Sequence, residues 1–115
     1  IAASQLGTAA RFYAKLTKTE MKGEPYYPPK ILYYFTSHFK IDPSPSFVLP
    51  VSEEVFEKKV QAVSAYQSQF QHKNRDIPEF LKLMGKRYGS RINSPYGEPF
   101  YTPEVLGVQG LENIL

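Results

Sequence analysis

Cysteine and tryptophan are both missing from the 115 residues. Without cysteine there is no disulfide framework, no thiolate zinc site, no iron–sulfur cluster and no cysteine nucleophile. Zinc held by histidine and carboxylate is the metal chemistry left open. An excess of one charge is nearly missing too. Lys and Arg number 14 against 11 Asp and Glu, a formal +3 at pH 7, spread along the chain with no basic block to grip a nucleic-acid backbone. No apolar run reaches the roughly 20 residues of a membrane-spanning helix. The opening stretch, IAASQLGTAARFYAK, lacks the basic-then-apolar layout of a signal peptide. The chain therefore reads as cytoplasmic, with no nucleic-acid or membrane partner, and at this length it supports one modest core rather than two.

What is present is proline and aromatic rings: ten prolines, nine tyrosines and eight phenylalanines, a mixture that favours rigid turns and ring packing. From Ile1 to about Lys18, Leu6, Ala9, Ala10, Phe12, Tyr13 and Leu16 recur at three- and four-residue steps and predict a helix, with Arg11, Lys15 and Lys18 toward its negative end. Lys22 to Lys30 (KGEPYYPPK) is a stiff connector. ILYYF, from Ile31 to Phe35, reads as a strand buried on both faces, and DPSP (42–45) as a turn. Ser46 to Val51 is a second strand, with Pro50 marking where its pairing stops. Ser52 then caps a helix running to about Gln71, with Val55, Phe56, Val60, Val63, Tyr66 and Phe70 as its apolar stripe. Asp76-Ile-Pro-Glu79 opens another, with Phe80, Leu81, Met84 and Tyr88 facing in. Beyond Gly89 the chain turns through NSPYG and continues through EPFYTPEVL as an extended edge.

No GxSxG, P-loop or GxGxxG motif occurs. His38 and His72 lack partners at a zinc-holding spacing. His72 reads as a solvated loop residue, whereas His38 follows a strand, where α/β sheets present ligand-binding groups. Tyr26-Tyr27 and Tyr33-Tyr34 suit packing more simply than base or sugar stacking, and Lys82, Lys86 and Arg87 suit a helix end. In KRYGSRINSPYGEPF (86–100), Gly89 and Gly97 each follow a tyrosine, with Arg91 between them and Glu98 after. Tight turns there would gather a guanidinium, phenols and a carboxylate, either lining a polar pocket or clasping a helix to a sheet.

The order of these pieces resembles the C-terminal half of the LmbE-like, or PIG-L, family of zinc-dependent N-acetylglucosaminyl deacetylases. There, a P-x-F-V-x-D-I-S strand feeds a K-x-x-A helix ending near Y-x-S-Q-F, and a later helix leads into Y-G-E and F. The matching residues are Pro45, Phe47, Val48, Ser52, Lys59, Ala62, Tyr66, Ser68, Gln69, Phe70, Tyr96, Gly97, Glu98 and Phe100, and the similarity in the order of the pieces extends over nearly the whole chain. Pro50 departs from the family's usual Asp, and Ile92 to Pro95 from its I-G-V lead. The resemblance implies an α/β fold, the C-terminal half of a Rossmann-like three-layer deacetylase, with about three helices and two to four strands in this chain. Residues 1–115 would form the C-terminal portion of one deacetylase domain. The two zinc motifs and the general base, and hence the catalytic and metal-ligating residues, would lie upstream of Ile1. Zinc held there by two His and one Asp would polarise an acetyl carbonyl and acidify a water. The implied partners are the N-terminal half of the same protein, an amino-sugar substrate such as a chitin disaccharide, and further copies in a homo-oligomer. His38, Arg91 and Tyr96 would stand nearest the substrate, and Gln109 could reach a neighbouring subunit's pocket. The alternative is a self-contained module that binds carbohydrate or protein without catalysis.

Overall fold

A computed structural model describes residues 2–35, 44–66 and 76–113. It is an α/β structure with three helices, α1 (Ala2–Ala14), α2 (Glu53–Ser64) and α3 (Ile77–Ser90), three strands, β1 (Tyr33–Tyr34), β2 (Phe47–Val51) and β3 (Tyr96–Tyr101), and a terminal 3-10 turn, Leu111–Asn113. The chain divides into two compact units. One comprises Ile1–Tyr33 and Thr102–Leu115, the other Tyr34–Tyr101.

In the second unit the helices start where local chemistry dictates. Ser52, extended at φ −69° and ψ 157°, accepts the Val55 amide in its side chain, and Glu53 and Glu54 occupy the positive first turn of α2. Asp76 accepts the Glu79 amide at 3.0 Å and Pro78 sits in the first turn of α3. α2 closes at Ser64 with Ala65 as its cap, several residues before the expected end at Gln71; positions 67–71 lie outside the described residues. After α3 the Ile92 and Ser94 amides both return to the Gly89 carbonyl at 3.0 Å, which satisfies the helix end. Asn93, at φ 53°, turns the chain toward β3, a left-handed geometry that Asn tolerates better than most residues.

The strands lie in the order β1-β3-β2, so the segment read as an extended edge supplies the central strand. β2 and β3 are antiparallel from Phe47↔Phe100 to Val51↔Tyr96. Contrary to expectation, pairing does not stop at Pro50, which lies opposite Gly97. Pro50↔Gly97 and Val48↔Pro99 fall in alternate register positions of the same parity. Hydrogen-bonded and non-hydrogen-bonded pairs alternate along such a ladder, so both prolines fall in the same kind of pair. β1 is two residues long in place of the expected five-residue strand. Nor is ILYYF buried on both faces: Ile31, Tyr33 and Phe35 are half-buried, while Leu32 and Tyr34 are exposed. Only one face is covered.

The core is small. Phe56, Val60 and Tyr96 form it, with Val51 and Leu81 packed against them, and Tyr88 is buried nearby. Phe56 lies parallel to the Tyr96 ring at a centroid distance of 4.1 Å. Of the expected α2 stripe, Val55 and Tyr66 are exposed and Val63 half-buried, and Phe70 lies outside the described residues. On α3, Tyr88 is buried and Phe80, Leu81 and Met84 are half-buried on the expected face.

In the first unit α1 is oriented against its own hydrophobic pattern. Ala2, Leu6, Ala9 and Tyr13 share one face at 3.6-residue spacing, and Ser4, Thr8 and Arg11 share the opposite one. The polar face makes the contacts. Thr8 shares a hydrogen bond with the Tyr33 hydroxyl, and Arg11 binds the proline connector. No residue of α1 is buried, and Leu6 and Tyr13 are 70% and 56% exposed. The helix ends at Ala14 rather than near Lys18, because the Ala14 carbonyl accepts the Tyr26 amide at 2.9 Å and the chain enters the connector.

Candidate functional site

The second unit gathers its polar and aromatic groups where α2 meets β3. Lys59, on α2, pairs with Glu98, on β3, and its ammonium stands 5.5 Å from the Phe56 ring centroid. Phe47 and Phe100, opposite each other in the ladder, stack at 5.4 Å with 11° between their planes. Lys82 ties α3 to α2 through Glu57 at 3.4 Å.

Three glycines set the distance between helix and sheet. A Cβ on Gly89 would lie 2.5 Å from the Ser94 carbonyl oxygen and 2.7 Å from the Tyr96 Cα. One on Gly97 would meet Val48 at 2.6 Å and the Gly89 nitrogen at 2.8 Å, and one on Gly85 the Phe56 ring at 2.5 Å. Gly89 and Gly97 are therefore not turn glycines, as their position after a tyrosine suggested. They lie inside α3 and β3 and permit close backbone approach. Consequently the groups of residues 86–100 do not gather around tight turns. Tyr88 and Tyr96 are core residues, Glu98 is engaged by Lys59, and Arg91 caps α3 with its side chain exposed.

Of the residues singled out for substrate, Tyr96 is 7% exposed and stacked on Phe56. Gln109 is exposed in the first unit. His38 lies outside the described residues, as does His72. Among the described residues no three His, Asp or Glu side chains converge to hold a metal ion. No helix among them is long and apolar enough to cross a membrane.

Sequence reasoning missed Arg11 as a centre. In the first unit its Nε donates to the Pro28 carbonyl at 2.8 Å and a terminal nitrogen to Pro29 at 3.1 Å. The guanidinium pairs with Glu104 and lies 4.4 Å from the Tyr27 centroid. One planar fork thus fastens α1, the connector and the segment after Thr102. Partners up to 93 positions apart leave no signal in local spacing. The Glu104 hydrogen bond, more than any other influence, raises the Arg11 pKa above its ordinary value. A cation whose folded pKa is raised contributes below its unfolded pKa and loses that contribution only as pH passes the folded one. This clasp therefore stays charged on the Arg11 side throughout the neutral and mildly alkaline range.

The solved structures contain a match. The crystal structure of the conserved protein TT1542 from Thermus thermophilus aligns at a TM-score of 0.79 and 34% sequence identity, over 93% of this chain and 47% of that one. This chain spans about half the length of TT1542. No family model and no curated protein matches.

Six of the residues behind the family resemblance also meet in pairs in space. Phe47 stacks on Phe100, Lys59 pairs with Glu98, and Val48 contacts Gly97. Ser68, Gln69 and Phe70 of that set lie outside the described residues.

Proposed function

We propose that this chain is the C-terminal half of a zinc-dependent deacetylase of the LmbE-like type, which removes the acetyl group from an N-acetylglucosamine-containing substrate such as a chitin disaccharide. The observation that carries this reading is the pairing of motif residues distant in sequence. The Lys59 of K-x-x-A meets the Glu98 of Y-G-E, and the Phe47 of P-x-F-V meets Phe100. A motif set that assembles into one scaffold is harder to produce by chance than one that is merely in order. The half-length match to TT1542 supports a division of labour in which the metal site belongs to the other half. The zinc, its ligands and the general base are assigned there, and no catalytic step is assigned to residues of this chain. Its second unit supplies a rigid sheet-and-helix support, and Arg91, His38 and Gln109 remain candidate substrate contacts. A cytoplasmic setting and a homo-oligomeric assembly belong to the same proposal.

The test uses a chimera in which this chain replaces the part of TT1542 that it matches. The expected result is one zinc per chimera, acetate release from a chitin disaccharide, loss of that release with a chelator and its return with zinc. The 115-residue chain alone should bind no stoichiometric zinc. A metal-loaded, folded chimera without acetate release would overturn the assignment.

A further inference from the structure

We infer that the outward face of α1, formed by Ala2, Leu6, Ala9 and Tyr13, is a docking surface for the apolar layer of the other half of a TT1542-like protein. An amphipathic helix in water turns its apolar stripe inward. α1 does the reverse: Thr8 and Arg11 make the contacts within the unit, while Leu6 and Tyr13 stand 70% and 56% exposed. The inward side is fixed by directional bonds. Arg11 alone holds two backbone carbonyls, a carboxylate and an aromatic face. Rotating α1 to hide its apolar stripe would break all of them, so the stripe is covered by something outside this unit.

The occupant follows from length. The same fold recurs in TT1542 as 47% of a longer chain, leaving more than half of that protein beyond the matched part. The small side chains Ala2 and Ala9 on this face admit a close neighbour, and it offers no charged residue among its four positions. A flat apolar layer fits it, and a charged ligand does not. This inference rests on reading the chain as half of a larger protein, and is independent of the chemistry assigned to that protein.

Because the chain has no cysteine, single thiols report directly on coverage. Leu6→Cys and the gentler Ala9→Cys are each made in the 115-residue chain and in the TT1542 chimera, with Lys58→Cys on α2 as an exposed control. Reaction with a maleimide is timed against the urea-unfolded protein. The expected result is that both α1 thiols react freely in the isolated chain and at least about tenfold more slowly in the chimera, while the control reacts alike in both. Equal rates in chain and chimera would overturn the inference. So would protection in the isolated chain that grows with its concentration, which would assign the face to a second copy, and so would a chimera without a cooperative melt. Protection in a chimera that lacks deacetylase activity would uphold the docking surface and reject the proposed reaction.

Discussion

At Gly89 a single methyl group has nowhere to go. The nearest atoms to an added Cβ are backbone, the Ser94 carbonyl and the Tyr96 Cα, which cannot swing aside as the tip of a side chain would. Gly89→Ala should therefore cost about 1–3 kcal/mol or more through overpacking, despite the better helix propensity of alanine. Gly7 of α1 is the counter-case, with nothing within 4 Å of its would-be Cβ. Gly7→Ala should stabilise by about 0.5–1 kcal/mol. Urea unfolding of the two variants checks both signs, and equal effects would refute the close-approach account. The two glycines look alike in sequence. Burial of Gly89 depends on β3, which returns across α3 only after the Asn93 turn, and no window around residue 89 contains that information. Arg11 was illegible for the same reason.

The elements themselves were more readable, because their causes are local. Ser52 and Asp76 cap α2 and α3 as their side chains dictate, and the stripe through Leu81, Met84 and Tyr88 marks the covered side of α3. Readings failed where a second element decides the outcome. ILYYF has the composition of a doubly buried strand, but two-sided burial needs two covering layers. The α2 stripe was overread at Val55 for a related reason: only Phe56 and Val60 point at Tyr96. Phe56 is the largest fully buried side chain of the described residues. Phe56→Ala should cost about 3–5 kcal/mol, while Val55→Ala, on the exposed side, should change stability by less than about 0.5 kcal/mol. Denaturant midpoints for the pair measure this, and a Val55 effect as large as that of Phe56 would relocate the core.

For the molecule as a whole, the core of a few rings is outweighed by apolar surface in both units: Leu6, Tyr13, Tyr26, Val105 and Leu111 in one, Tyr34, Leu49, Tyr66 and Leu83 in the other. Large apolar side chains left in water attract apolar probes and partners. The isolated chain should therefore enhance the fluorescence of an apolar dye such as ANS several-fold, and the chimera with the rest of TT1542 should reduce that signal. An isolated chain that leaves the dye dark would indicate that these side chains are already covered.

The proline of β2 has one more consequence. Pro50 brings no amide proton to β2, an outer strand of the sheet, and proline in such a strand is one of the devices that discourage the edge-to-edge pairing from which fibrils grow. The position occupied by an aspartate in the resembling family is here a residue that cannot donate to a ladder.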